Sequence, residues 1–368
     1  MDSMNHKDRF RRVFTGEPVD RLPVLFFGTW AETKVRWAAE GIAVDSFEDP
    51  GPQLAGMDPD WERGLWTNHG LLTSYAVGRG TPEVLEETAD HVVFRDALGA
   101  TIKAGKNGSS VQHVLEHALK PDRASWERFK PCLDARDANR WTPGWERLAE
   151  AADAEDRVLP LMGGSLYGWL RNFMGVEELS CLMYEDPELF QEIIDATADY
   201  FIDLFRPLVE KVHFDLIYLF EDCCGANGPL FSPAQYRRFF DAPYRRLVAF
   251  YKEHGDPLVL LDSDGETDAL IPSWLGSGID ILFPVEVGKW GASPGAIRAR
   301  HGSGVKMVGG VDKHVIARGE GAIREHLLGL LPAARQSGYL PMPDHRIPPE
   351  VGLEDMRTYV RVFREVFA

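Results

Sequence analysis

The sequence predicts an α/β protein built as a (β/α)8 TIM barrel, with an elaboration inserted after the first barrel strand. Two observations carry that expectation. Six short apolar runs recur from about residue 155 onward, and each precedes a stretch of helical periodicity, the rhythm of parallel βα units. The runs are apolar throughout instead of alternating, as strands covered on both faces are. A third observation is an absence. Neither G-x-G-x-x-G nor G-x-x-x-x-G-K-[ST] occurs, and GGVDKH (309–314) is the nearest approach, so a doubly wound open sheet is the runner-up.

Taken in order, the opening MDSMNHKDRFRRVF has no apolar stretch of the signal-peptide kind. LPVLFFG (22–28) supplies an early strand, which leaves one of the eight to be found. Residues 29–155 form the insert-rich region of a single domain spanning 1–368. Tryptophans are frequent there (Trp30, Trp37, Trp61, Trp66, Trp126, Trp141, Trp145). EVLEETADHVVFRDALGATIKAGKNG (83–108) reads as short antiparallel strands with turns at Gly99 and Asn107-Gly108. The six runs follow: VLPLMGG (158–164), LIYLFED (216–222), LVLLDSDG (258–265), IDILFPVE (279–286), VKMVGGVD (305–312) and YLPMPDH (339–345). In the helical segment 232–255, Ser232 is the expected N-cap, Pro233 the first residue and Gly255 the stop. Phe239, Phe240, Tyr244, Leu247 and Tyr251 make its apolar stripe, and Pro243 is expected to kink or divide it.

With 368 residues, 44% hydrophobic and 26% charged, the chain is long enough for a large single core and too apolar for extended disorder. Its 57 acidic and 40 basic residues give a formal charge of −17, which repels a phosphate backbone and argues against nucleic acid as a partner. No apolar run approaches the roughly 20 residues needed to cross a bilayer, so no membrane partner is expected. Four scattered cysteines (Cys132, Cys181, Cys223, Cys224) are too few for a disulfide framework, and a reducing cytoplasmic location is the expectation.

In a barrel of this class the C-terminal strand ends open onto one face, and the active site sits there. Reading the last residues of the runs gives Gly163, Gly164 and Ser165, then Glu221 and Asp222, Asp262 and Asp264, Glu286, Asp312, and finally Asp344 with His345. Five consecutive runs end in acid. Glu221, Asp262 and His345 are the candidate catalytic residues, because each stands where an apolar run stops. Asp222, Asp264, Tyr218 and Glu286 are candidates for binding substrate. Glu221, Asp262, Asp264 and His345 also make a candidate ligand set for zinc or another divalent metal. Alternatively, crowding pushes the pKa of one acid upward until it protonates a leaving group or a carbanion, or the acids bind a cationic substrate. The plainer role is that each acid caps the following helix or pairs with a nearby Lys or Arg, and for Asp312, Glu286 and Asp222 taken singly that is preferred. Cys223 and Cys224 read as buried packing residues before soft ligands. His113 and His117 stand four apart, as on one helix face, but without the acid of an H-E-x-x-H motif.

Several segments resemble the uroporphyrinogen decarboxylase superfamily: RFRRVFTGEPVDRLPV (9–24), NGPLFSPAQYRRFFDAPYRRLV (227–248), LDSDGETDALIPSWLGSGIDILFPVE (261–286), MVGGVDKHVIARG (307–319) and PMPDHRIPPEVGLEDMRTYV (341–360). They occur in order over nearly the whole chain. The resemblance implies a (β/α)8 barrel with its site at the C-terminal face. Where the decarboxylases of the family carry an arginine-bearing RQAGRY segment, this chain has GTWAET (28–33). Where the thiol-activating, cobalamin-linked methyltransferases carry a His-x-Cys pair and a later Cys, it has Asp262-Ser263-Asp264 and His345.

Three functions follow as expectations. The first is metal-dependent methyl transfer on a small molecule through an Asp/Glu/His site, the corrinoid being presented by a separate partner protein. The second is metal-free decarboxylation or a related lyase reaction on a small acid, with Asp262 or Glu221 donating the proton. The third is a non-catalytic small-molecule-binding barrel. Relatives suggest a homodimer by analogy.

Overall fold

The computed structural model describes residues 4–26, 28–42, 57–58, 68–106, 112–288 and 291–368. All six apolar runs become strands of one parallel sheet: β5 (Pro160–Met162), β6 (Leu216–Phe220), β9 (Leu258–Asp262), β10 (Ile281–Val285), β11 (Lys306–Val311) and β12 (Tyr339–Pro343). Four earlier strands belong to the insert, and a two-residue-per-strand hairpin, β7 (Cys224–Gly225) and β8 (Gly228–Pro229), lies between β6 and β9. In space the sheet runs β5-β6-β9-β10-β11-β12, so each strand pairs with its nearest neighbour in the series.

The run at 22–28 does not form a laddered strand in its described residues. Its place in the barrel is held by other bonds. Val24 N donates to the Asp58 carboxylate (2.7 Å), and Asp58 N donates back to Val24 O (3.2 Å). At one edge Thr29 makes a parallel bridge to Ile347, just beyond β12, and Ile347 N reaches Gly28 O at 2.9 Å. At the other edge the Asn68 side chain accepts from Met162 N at 2.8 Å. At both edges of the six-stranded sheet, side chains and loops stand where further strands of a (β/α)8 barrel would, and a side-chain carboxylate or amide satisfies backbone groups that a neighbouring strand would otherwise pair.

Alternate residues of the strands serve two cores. Leu216, Tyr218, Leu258, Leu260, Ile281, Phe283, Val308, Leu340 and Met342 fill the interior together with Phe10, Val13 and Phe14 of the helix His6–Thr15. That helix closes the end where the strands begin, since Gly338 N, just before β12, donates to Val13 O at 2.7 Å. Ile217, Leu219, Val259, Leu261, Leu282 and Met307 point the other way, into the surrounding helices. Burial on both faces is why the runs read as continuously apolar.

The insert holds a four-stranded antiparallel sheet of β1 (Glu83–Glu87), β2 (His91–Arg95), β3 (Thr101–Gly105) and β4 (His113–Glu116), in that order. Gly99 turns between β2 and β3 with φ 98°, as expected; the Asn107-Gly108 turn, Trp61 and Trp66 lie outside the described residues. His113 begins a strand, so it shares no helix face with His117. The helix expected at 232–255 starts with a Ser232–Gln235 capping box, and Pro243 falls in its later part, Asp241–Glu253. A π turn at Tyr236–Phe240 precedes that part. Pro243 has no N–H for Phe239 O, and Gln191 Nε2 donates to that carbonyl instead at 3.2 Å. No described helix is long and apolar enough to cross a membrane.

Candidate active site at the barrel mouth

Glu221 and Asp222 directly follow β6, and Asp222 takes a positive φ of 39° outside the strand. Glu221 follows Ile217 and Leu219 outward. Its Oε1 accepts from Leu166 N (2.7 Å) and its Oε2 from Tyr167 N (3.0 Å) and Gly168 N (2.9 Å). These are the orphan amides at the start of the helix Tyr167–Met174. Burial pushes the Glu221 carboxyl up to about 7, against the three amides that favour its charge. The contact is so close that a β-carbon on Gly168 would overlap the carbonyl oxygens of Phe220 and Glu221. Glu221 therefore ties the β5 helix to the end of β6.

Asp262 follows Leu258 and Leu260 inward and ends β9 at the barrel mouth, almost fully buried. Tyr218, wholly buried on the adjacent strand, donates its hydroxyl to Asp262 Oδ2. Burial, with Asp264 and Asp222 adding repulsion, raises the Asp262 carboxyl well above the ordinary range. Burial and the neighbouring acids thus favour the protonated form of Asp262, while the Tyr218 hydrogen bond favours the charged one.

Asp264 Oδ2 lies 3.3 Å from His345 Nε2, while Asp264 Oδ1 is buried without a hydrogen-bond partner. The His345 ring also stacks on Trp30, with centroids 5.5 Å apart. Asp222 is held by Arg171, which donates to its carboxylate and to its backbone oxygen and lies over the Phe220 ring. Burial and the Asp264 charge raise the Asp222 and Glu286 carboxyls. Glu286 Oε2 accepts from Gly265 N at 3.0 Å. Asp264 acts on Asp222, Asp262 and Glu286, Asp222 also acts on Asp262, His345 acts on Asp222 and Glu286, and Arg346 acts on Asp262.

Two further acids from the strand ends have structural partners. Asp312 accepts from His314 N at 2.9 Å, as a cap. Asp344 is fully buried and bonds Val287 N (3.0 Å), Gly288 N (3.1 Å) and Lys313 N (3.2 Å), so one carboxylate binds the loops after three strands together. Sequence reasoning did not single out Trp30, Arg171, Lys313 or Arg346 for this site. Lys313 and Arg346 follow the acidic ends of β11 and β12, and Trp30 stands in GTWAET just after the first predicted strand, both visible signals; Arg171 carries none.

The candidate metal ligands divide. Glu221 faces the helix, Asp262 is bonded to Tyr218, and Asp264 and His345 are in contact. Cys223 is buried, and burial raises its thiol well above the usual value, so it offers no ready thiolate. Among the described residues no group of three or more His, Cys, Asp or Glu side chains is arranged to hold a metal ion. A tetrahedral zinc centre takes three or four protein ligands. The residues as arranged do not fit one.

A (β/α)8 barrel whose inward-facing acids gather at the C-terminal mouth is the architecture of a small-molecule enzyme class. The family model for uroporphyrinogen decarboxylase (URO-D) matches residues 83–366, and the chain belongs to that family. Among solved structures it is similar to a methyltransferase from Methanosarcina mazei, at 18% identity and TM-score 0.63 over 100% of both chains. A fainter likeness is to a B12-independent methionine synthase from Shewanella sp. W3-18-1, at 9% identity and TM-score 0.44 over 94% of this chain and 96% of that one. At 18% identity the first likeness speaks for the fold alone, and the second carries no argument. A search of curated proteins gave no match.

Proposed function

We propose that this chain is an enzyme acting on a small carboxylic acid by proton transfer, of the decarboxylase or lyase type, with Asp262 as the general acid. The observation that carries the reading is the buried Asp262 carboxyl, hydrogen-bonded by Tyr218 and crowded by Asp264 and Asp222. In the step, the bond from carbon to the departing carboxylate breaks and CO2 leaves. The electron pair stays on carbon and takes the Asp262 proton. The resulting Asp262 carboxylate is disfavoured by its burial and its acidic neighbours, so it regains a proton from solvent for the next turnover. Asp222, Asp264, Glu286 and His345 line the place where the substrate sits. The test is a screen of small carboxylic acids for CO2 release and solvent-deuterium incorporation. An activity found this way should fall at least a hundredfold in Asp262→Asn with the fold intact. An unchanged rate in that variant overturns the reading.

A second reading is methyl transfer with a corrinoid-bearing partner protein. It is favoured by the Asp264–His345 contact and the partnerless Asp264 Oδ1, which can hold or deprotonate an oxygen or nitrogen substrate. Zinc or another divalent metal enters this reading only with a third ligand. Metal analysis of protein purified without chelator, with and without a methylcorrinoid donor, tests it. A cytoplasmic setting is supported by four free cysteines.

A further inference from the structure

We infer that Lys313 is the anchor for a carboxylate of the substrate and that the substrate is a small dicarboxylic acid. The inference rests on the general-acid reading of Asp262 and adds a binding residue to it. Lys313 stands immediately after β11 and Asp312, and its side chain is 14% exposed. Its ammonium lies 3.5 Å from Asp344 Oδ1. That is longer than the three amide contacts to Asp344, and longer than a charge-assisted hydrogen bond of about 2.7–2.9 Å. The Asp344 oxygens are already met by the amides of Val287, Gly288 and Lys313. The lysine head thus supplies charge to Asp344 without being fully engaged by it, and its field reaches Glu286 in the same mouth.

Another cation at the mouth is committed to a neighbouring acid. Arg171 donates to both the carboxylate and the backbone oxygen of Asp222. An anionic substrate entering among Asp222, Asp264 and Glu286 needs an opposite charge that can turn toward it, and Lys313 offers one.

The chemistry calls for two carboxylates. The one that leaves as CO2 is best left without an ion pair beside Asp262, since pairing it with a cation stabilises the ground state and slows its loss. The one that anchors the molecule goes to the cation. Asp262 ends β9 and Lys313 follows β11, with β10 between them. Two strand spacings put the two functions about 10 Å apart at the backbone. Side chains leaning inward shorten that to the reach of a chain of about four to six carbons.

The experiment is calorimetric titration of the full chain with succinate, glutarate and adipate, and with glutaramide as the uncharged control. Wild type should bind at least one diacid and not the diamide. Lys313→Met should weaken that binding tenfold or more, and Lys313→Arg should keep most of it. Lys313→Met also loses its charge against buried Asp344, so its fold is checked by circular dichroism; charge-selective loss with rescue by arginine is what a purely structural role would not give. Diacid binding unchanged in Lys313→Met, equal binding of glutaramide, or no diacid binding by wild type overturns the inference. Failure of the underlying reading is separate. Asp262→Asn that turns over normally sinks the general acid, whatever Lys313→Met does to binding.

Discussion

Replacing Glu221 by alanine should destabilise the protein by about 3–5 kcal/mol without reaching the interior of the mouth. The working is local. Three amide N–H groups, of Leu166, Tyr167 and Gly168, give their hydrogen bonds to this one carboxylate in a buried setting. Leaving a buried donor unpaired costs about 1–3 kcal/mol each, and some relief from entering water brings the sum of three to the lower half of that range. For a chain of this size about 2 °C of melting temperature corresponds to each kcal/mol, so a fall of about 6–10 °C is expected. Glu221→Gln keeps one acceptor oxygen but turns its NH2 toward the remaining amides, and should lose less. The pH dependence has a definite sign. The folded carboxyl is raised from 4.5 to about 7, so the folded state binds more protons than the unfolded one between those values. The Glu221 contribution is therefore full below 4.5 and declines as pH rises to about 7. The gap between wild type and Glu221→Gln should narrow over that window. Thermal melts by circular dichroism from pH 4 to pH 8, with hydrogen exchange at the three amides, measure both effects. A Glu221→Ala melt within about 1 °C of wild type would refute the reasoning, and the carboxylate would again be a candidate for chemistry.

Two other outcomes are expected. Gly168→Ala forces a methyl group against backbone oxygens of Phe220 and Glu221 that cannot yield, so a loss of at least about 3 kcal/mol should appear as a lower urea midpoint or as insoluble protein. Asp58 is buried, which disfavours its charge, yet Arg21, the Val24 amide and His6 hold its pKa below the usual 3.8. Its stabilisation is present above that value and fades as pH falls through the lower folded one. Asp58→Asn should therefore lose about 3 kcal/mol at neutral pH and much less near pH 2, read from urea unfolding at the two pH values.

Much of this molecule was written in local pattern. Each of the six apolar runs became a strand, short and bounded by Gly, Pro or acid as strands buried on both faces are, and the Ser232 cap began its helix where a hydroxyl could take the Gln235 amide. The gathering of acids at one end also followed from sequence, since parallel strands with short returns must finish on the same side. The directions of those acids did not. Glu221 and Asp262 end equally apolar runs, and only the pairing register and inward phase of the sheet turned one to the helix layer and the other to the mouth. Nor could sequence show that Arg171 would neutralise Asp222 from 51 residues away, or that Asp344 would spend its oxygens on the Val287, Gly288 and Lys313 amides and leave the lysine head loosely held. Such contacts are long-range. They depend on which surfaces meet when the barrel closes, and local residue order carries no record of that meeting.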